Sequence, residues 1–202
     1  MDRKSFPFEY APGATPLDPD ETNGLIPDYI STQGELNALE QENILEATAW
    51  ATARKHKHLF TDTFLMQVHK RMLKDVWRWA GQYRLSDKSI GIAWQRIPVE
   101  IKNLLEDTRY WAENQTYPWD ELGARFHHRL VSIHAFPNGN GRHARLATDV
   151  ILKSYGQPVF SWGANSFDGQ LDRASSIRQE YIAALQEADQ RKYSRLICFV
   201  RM

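Results

Sequence analysis

The stretch His134-Ala-Phe-Pro-Asn-Gly-Asn-Gly-Arg-His-Ala-Arg145 decides which fold and which chemistry we expect of this chain. Gly139 and Gly141 flank Asn140 at the point where a new helix is predicted to begin. Glycines let successive backbone N–H groups turn toward one point, and a helix N-terminus adds partial positive charge. The stretch therefore predicts a cradle for phosphate oxygens at the start of a helix.

Three side chains around the cradle indicate what it does with a phosphate. Arg142 and Arg145 are three residues apart and share a helix face, so both guanidinium groups reach the same anion. His134 ends the preceding helix, where an imidazole can take a proton from a hydroxyl that attacks the phosphorus. Each piece alone is common as a turn, a structural histidine or a solvated helix face. Their joint spacing favours phosphoryl-transfer chemistry.

The stretch resembles the active-site motif of the Fic family, HPFx(D/E)GN(G/K)RxxR, in order and spacing. The matching residues are His134, Phe136, Gly139, Asn140, Gly141, Arg142 and Arg145. Trp79-Ala-Gly-Gln-Tyr-Arg84 and residues 181–189 are also similar to Fic segments, so the likeness covers roughly residues 60–200. The opening segment, with Thr15-Pro-Leu-Asp-Pro and Gly34-Glu-Leu-Asn37, resembles a bacterial Fic subgroup called mobile mystery protein B, which is encoded beside a small helix-turn-helix partner.

The resemblance implies a protein adenylyltransferase that uses ATP and Mg²⁺ and transfers AMP to a Ser, Thr or Tyr hydroxyl of a target protein. It implies that His134 is the general base. It also implies that the nucleotide phosphates lie against Gly139, Asn140, Gly141, Arg142 and Arg145. Asn138 stands where the family has an acidic residue, and its amide oxygen would help to hold Mg²⁺ with less attraction than a carboxylate. Ala135 replaces the family's proline.

Two further segments acquire expected roles from the resemblance. Residues 85–97 alternate in a strand-like way around Gly91, which predicts a small β-hairpin or flap. In the family this flap holds the target as an added strand, so the expected target-binding residues are Lys88, Ser89, Ile90, Gly91 and Ile92. A surface hairpin with a purely stabilising role is the alternative.

Regulation is expected from a glutamate. Ala38-Leu-Glu-Gln-Glu42-Asn43 matches the family's inhibitory pattern (S/T)xxxE(G/N) at Glu42 and Asn43 but has Ala38 in place of Ser or Thr. The resemblance implies that Glu42 pairs with Arg145 in an inhibited state. A separate antitoxin that supplies the glutamate is the alternative.

Composition and periodicity set the organisation. Residues 1–33 are rich in Pro and Gly and predict an extended arm, residues 34–57 predict an N-terminal helix, and residues 58–202 predict a mostly α domain with the small hairpin. The resemblance implies that residues 58–202 are a Fic-type helical bundle that forms the catalytic domain, and that the helix in residues 34–57 is regulatory. Lys plus Arg and Asp plus Glu each number 25, which disfavours a surface that coats nucleic acid. The single cysteine and the lack of a long apolar run favour a cytoplasmic protein without a membrane segment.

Other functions remain open at this stage. The same fold transfers UMP, phosphocholine or a simple phosphate, depending on how the substrate is oriented. A catalytically weak scaffold that binds a nucleotide or its partner protein is a non-enzymatic alternative, against which the retained base His134 argues. The subgroup resemblance further suggests one component of a toxin–antitoxin pair.

Overall fold

Helices dominate the computed structural model of this protein, which describes residues 17–53, 56–163 and 176–202. The helices are α1 (Pro19–Thr22), α2 (Gln33–Thr52), α3 (Asp62–Leu73), α4 (Ile97–Glu113), α5 (Trp119–Ile133), α6 (Asn140–Ser154), α7 (Ser176–Asp189) and α8 (Ser194–Arg201), with a 3-10 turn at Trp94–Arg96. The prediction of a mostly α chain is confirmed.

The helices begin where the sequence has its start signals. Thr32 caps α2 by accepting a hydrogen bond from the N–H of Glu35 at 3.2 Å, and the Glu35 carboxylate accepts one from the N–H of Thr32 at 3.0 Å. A Thr before an amphipathic stretch is an N-cap signal, and Thr61 caps α3 by accepting a hydrogen bond from the N–H of Phe64 at 3.2 Å. Pro98 lies in the first turn of α4, where its missing N–H costs no hydrogen bond, and Pro118 directly precedes α5.

The core lies around the pair α5 and α6. Helices α3 and α4 pack on one side of this pair, and α2 packs against both α3 and α6. The main cluster of buried apolar side chains includes Leu65, Ile101, Leu104, Phe126 and Phe136. A second cluster joins α7 and α8 to the segment after α6 through Phe160 and Trp162. The turn between α5 and α6, which carries the motif, is therefore held by the centre of the bundle.

The N-terminal arm is fixed to the bundle over its described part. Residues 1–16 of the predicted arm lie outside the described residues. After α1, an isolated antiparallel bridge joins Leu25 to Trp77, and the N–H of Ile26 donates to the carbonyl of Val76 at 2.8 Å. This part of the chain therefore packs beside the C-terminal end of α3.

The predicted hairpin is not confirmed. Residues 85–93, which we call the flap, contain bends and no strand, and the 3-10 turn follows them. The physical reason lies in the flap's carbonyl groups, because those of Ser86 and Ile92 accept hydrogen bonds from the side chain of Arg84 instead of from a facing strand. Asp87 holds the end of the flap by accepting from the N–H of Trp94 at 2.9 Å.

Two further predicted elements, near the C-terminal end of the chain, lie partly outside the described residues. The sequence predicts a loop over residues 156–170 and a helix that starts near Arg173, and of this stretch residues 164–175 lie outside the described residues. The division into an arm, a regulatory helix and a catalytic domain stays a prediction.

Among the described residues, none of the helices combines the length and the apolar character needed to cross a bilayer.

Candidate active site

His134 ends α5 in an unusual backbone conformation. Its φ of 54° and ψ of 58° are left-handed, which costs a non-glycine residue about 1–2 kcal/mol. Gly91 of the flap lies directly against it, since a Cβ added at Gly91 would come within 2.6 Å of the His134 Cβ. The left-handed turn therefore needs both a close neighbour without a side chain and a group that holds its carbonyl.

Arg84 is the group that holds this turn. Its side chain is buried, and its Nε donates to the carbonyl of His134 at 2.7 Å. One terminal nitrogen donates to the carbonyl of Ser86 at 2.7 Å and the other to that of Ile92. The backbone N–H of Arg84 donates to the carbonyl of Ala135 at 3.0 Å. One side chain thus joins the end of α5 to both ends of the flap.

The imidazole of His134 is buried, and it makes no hydrogen bond of good geometry to the described residues. The residue is 7% exposed, and neither ring nitrogen meets an atom of the described residues with hydrogen-bonding geometry. Burial, aided by the positive charges of Arg84 and Lys88, lowers the pKa of His134 from 6.5 to about 4, while the Val131 carbonyl opposes the shift. At neutral pH the ring is therefore uncharged, and one of its nitrogens has a free lone pair that can accept a proton.

The loop after His134 is closed by a side chain of the motif itself. Asn140 is buried, and its amide pairs twice with the backbone of Phe136, accepting from the N–H at 2.9 Å and donating to the carbonyl at 2.8 Å. Gly139 precedes α6 with a φ of 76°. Because the side chain of Asn140 serves the loop, the part of this residue left for a phosphate is its N–H, together with the other N–H groups of the first helical turn.

Asn138 lies at the tip of this loop. Its side-chain oxygen accepts a hydrogen bond from the N–H of Gly139 at 2.6 Å. The part of the chain that the structure describes holds no group of three or more His, Cys, Asp or Glu side chains able to bind a metal ion. A magnesium ion at Asn138 would therefore take most of its oxygen ligands from phosphates and water, as Mg²⁺ does in many nucleotide sites.

The two arginines of the motif have different surroundings. Arg142 forms a salt bridge with Glu40 of α2, in which Nη1 lies 2.8 Å from Oε2. Arg145 makes no ion pair with any residue that the structure describes and is half-buried. Its charge acts on His127 and Asp149. Burial, with a contribution from Arg145, lowers the pKa of His127 to about 3. Burial raises the pKa of Asp149 to about 7, although the charge of Arg145 opposes this rise. Arg145 is thus the guanidinium available to an incoming anion.

The glutamate beside the arginines differs from the one that the sequence pattern indicates. Glu42 is exposed, and the structure does not bring it to Arg145. Glu40 is 5% exposed and also accepts a hydrogen bond from the indole N–H of Trp77 at 2.8 Å. The sequence contains a signal for Glu40. This residue occupies the buried stripe of α2 with Leu36 and Ala47, where a carboxylate requires a partner.

His69 of α3 is a further site residue without a counterpart in the sequence analysis. It is buried, its ring stacks on Phe136 with centroids 3.7 Å apart, and its Nε2 lies 3.0 Å from the carbonyl oxygen of Asn138. Burial lowers the pKa of His69 well below its usual value, and the nearby His143 lowers it further. Its place on the buried face of α3 predicts burial but gives no indication of the partner.

The flap residues divide by exposure. Lys88 is nearly buried, because its ammonium pairs with Asp18 at 2.8 Å and with Glu21 of α1. Ser89, Ile90 and Gly91 are exposed, and Ile92 is partly buried. The structure therefore leaves the tip of the flap accessible to another chain, while α1 holds the ammonium of Lys88.

Comparison with known proteins finds similarity over the central part of the chain. The Fic/DOC family model matches residues 59–152. Over 69 residues, or 30% of this chain and 13% of the relative, the sequence is 46% identical to the uridine 5′-monophosphate transferase of Xanthomonas campestris pv. campestris. Over 110 residues, or 52% of this chain and 22% of the relative, it is 29% identical to the protein adenylyltransferase fic-1 of Caenorhabditis elegans. The chain thus spans less than a quarter of the length of these two relatives.

A solved structure shares the fold. The N-terminal Fic domain of a putative cell filamentation protein from Bartonella quintana, which contains bound ADP, superposes with a TM-score of 0.65. The match covers 86% of each chain at 15% sequence identity. The likeness establishes a shared fold at this low identity.

We predict that His134 titrates near pH 4 in the folded protein, because burial favours its neutral form. Its signal in NMR spectra, assigned by comparison with His134→Ala, gives the midpoint. The folded pKa is below the unfolded value of 6.5, so the stability that neutral His134 contributes is present above pH 6.5 and is lost as the pH falls toward 4. A midpoint near 6.5 would show that the imidazole is solvated.

Proposed function

We propose that this protein is a protein adenylyltransferase, which transfers AMP from ATP to a Ser, Thr or Tyr hydroxyl of a target protein, because residues 59–152 match the Fic/DOC family model and resemble named adenylyltransferases. The observation that carries the proposal is the state of His134. It is buried and uncharged, its ring nitrogens make no hydrogen bond of good geometry to the described residues, and it lies one short loop before a helix N-terminus. A histidine with a structural role would use at least one ring nitrogen.

The chemistry follows from these groups. A ring nitrogen of His134 accepts the proton of the target hydroxyl as its oxygen forms a bond to the α-phosphorus of ATP. The bond between that phosphorus and the bridging oxygen breaks, and pyrophosphate leaves with the electron pair. The low pKa leaves the ring almost fully in its base form at neutral pH. Most of the rate enhancement in such a site comes from positioning and charge stabilisation.

The phosphates are assigned to the start of α6. Backbone N–H groups of Gly139, Asn140 and Gly141 surround the transferred group, and the Gly139 N–H exchanges its bond to Asn138 for the phosphate. Arg145 holds the remaining phosphates from one turn further along, and Arg142 joins it once Glu40 releases it. Asn138 supplies one amide oxygen to Mg²⁺, which when bound neutralises phosphate charge.

The exposed tip of the flap is assigned to the target. Ser89, Ile90 and Gly91 are accessible, and Ile90 presents an apolar side chain that is 48% exposed. An extended target segment that pairs with residues 88–92 would place its hydroxyl near His134, because Gly91 contacts that residue. The strand of the flap would then form on target binding.

A second candidate donor is UTP. The relative with 46% identity over 69 residues is named a uridine 5′-monophosphate transferase, and the phosphate groups of ATP and UTP are the same. Backbone N–H groups and guanidinium groups bind phosphates and do not distinguish one nucleobase from another. The transferred nucleotide is therefore a matter for experiment, whereas the general base and the phosphate loop are common to both assignments.

We predict that His134→Ala abolishes transfer while the protein stays folded. Purified protein is incubated in lysate with Mg²⁺ and either α-labelled ATP, γ-labelled ATP or α-labelled UTP. Label from α-ATP on protein, lost in His134→Ala and kept in the control His58→Ala, supports AMP transfer. His58 is an exposed histidine outside the site.

The three labels separate the alternatives. Label from α-UTP alone would replace AMP by UMP, and label from γ-ATP alone would indicate phosphate transfer. Full activity of His134→Ala would refute the assignment of the base.

Regulation is proposed through Glu40 instead of Glu42. Glu40 already neutralises Arg142, so a triphosphate must displace a buried carboxylate before it gains this guanidinium. Trp77 holds the same carboxylate in place. The inhibitory group is thus within the chain itself, which favours an intramolecular device over a separate antitoxin. A helix-turn-helix partner would then have another role.

We predict that Glu40→Gln binds ATP more tightly than the wild type, by about tenfold, which corresponds to ~1.4 kcal/mol. The glutamine keeps an oxygen for the indole N–H of Trp77 but loses the charge that holds Arg142. The matched control is Glu42→Gln, which removes the same charge from the exposed face of α2. Calorimetric titration with ATP gives both affinities. Equal affinities of the two variants would show that the Glu40–Arg142 pair does not control access.

A further inference from the structure

His69 touches the motif loop from outside it. It belongs to α3, yet its Nε2 lies 3.0 Å from the carbonyl oxygen of Asn138, and its ring is nearly parallel to that of Phe136, with 6° between the planes. Among the described residues, no other group donates a hydrogen bond to this carbonyl. A side chain distant in sequence therefore determines where the peptide between Asn138 and Gly139 points.

The backbone fixes which nitrogen of His69 carries the proton. The N–H of Gly81 lies 2.9 Å from Nδ1 of His69 and can only donate, so Nδ1 has the lone pair. The proton is then on Nε2, which donates to the carbonyl of Asn138. Gly81 is itself confined, since a Cβ there would lie 2.7 Å from the Cβ of Lys70. Both nitrogens are satisfied, and the ring has one tautomer.

This hydrogen bond extends to the side chain of Asn138. A trans peptide is planar, so its C=O and N–H point in opposite directions. With the carbonyl of Asn138 bound to His69, the N–H of Gly139 points away from α3, where it donates to Oδ1 of Asn138 at 2.6 Å. One chain of hydrogen bonds thus runs from Gly81 through His69 and the peptide to the amide oxygen at the loop tip.

We propose that His69 is a positioning residue for the phosphate loop, which fixes the 138–139 peptide and thereby the amide oxygen and N–H that meet the Mg²⁺ and phosphates of the nucleotide. The inference rests on the proposed function, because it assigns a nucleotide to this loop. It deepens that function by extending the site to α3 and to the turn at Gly81, neither of which belongs to the motif.

Two substitutions separate positioning from packing. The amide nitrogen of His69→Gln reaches about as far as Nε2 and can donate to the carbonyl of Asn138. The oxygen of His69→Asn reaches about as far as Nδ1, so it can accept from Gly81 but cannot reach Asn138. Both variants lose the ring that stacks on Phe136. A purely structural role of His69 therefore predicts similar damage from both substitutions.

The experiment measures the Kd for ATP at fixed Mg²⁺ and the kcat/KM for transfer, together with the melting temperature of each variant. We expect His69→Gln to stay within about threefold of the wild type, and His69→Asn to bind ATP at least about tenfold more weakly than His69→Gln, because the Asn138 carbonyl and its peptide lose their partner. The Mg²⁺ concentration at half-maximal ATP binding should rise in His69→Asn alone. Equal affinities and equal Mg²⁺ dependence in the two variants would overturn the proposal.

A nucleotide-free readout keeps this test separate from the proposed function. Hydrogen exchange of the Gly139 N–H, followed by NMR, should be faster in His69→Asn than in His69→Gln if His69 fixes the peptide. Equal exchange rates would overturn the proposal even if the enzyme transfers AMP. Conversely, a wild type that binds ATP but labels no protein would refute the transferase and leave the role of His69 in ATP binding supported.

Discussion

The guanidinium group of Arg84 lies buried under the flap and donates to the carbonyl groups of Ser86, His134 and Ile92. A buried cation is tolerated when its N–H groups are all directed at acceptors, and here those acceptors are backbone carbonyls. The nearest carboxylate, that of Asp87, is exposed and lies 3.8 Å away. The left-handed conformation of His134 and the shape of the flap both depend on this one side chain.

The other contacts of the site hold the loop that comes next in the chain. Once α5 ends at His134, the chain turns, and Asn140 closes the turn by pairing with the backbone of Phe136. Phe136 is thereby pressed against His69, which in turn holds the carbonyl of Asn138. The loop is thus held by several contacts, while the ring nitrogens of His134 make no hydrogen bond of good geometry to the described residues. Such a division of rigid support and free reactive groups is what catalysis by positioning requires.

Much of this could be read from the sequence, and the reasons for the remainder are physical. Residues 134–145 indicate the base, the cradle and the helix start because these are local properties of spacing and residue type. Start signals such as Thr61 and Pro98 placed helices for the same reason. The predicted hairpin is not confirmed, since alternation does not reveal that the side chain of Arg84 binds carbonyl groups of the flap.

The glutamate that the sequence pattern indicates, Glu42, lies two residues after the glutamate that pairs with a motif arginine, Glu40. Positions 40 and 42 are about 200° apart around a helix axis, so burial of Glu40 places Glu42 on the exposed face. The pattern match pointed to Glu42, whereas the buried stripe pointed to Glu40. Contacts between distant segments, such as those that Glu40, Arg84 and His69 make, depend on tertiary packing, and one sequence taken alone does not encode them in any local spacing.

In the proposed site, residues 134–145 place a base beside a phosphate cradle. A crystal structure with Mg²⁺ and a non-hydrolysable ATP analogue tests this arrangement. We predict phosphates at the N-terminus of α6, contacts from Arg145, and Arg142 turned from Glu40 toward the nucleotide. A nucleotide bound elsewhere, or an α-phosphate out of reach of any hydroxyl that could contact His134, would contradict it.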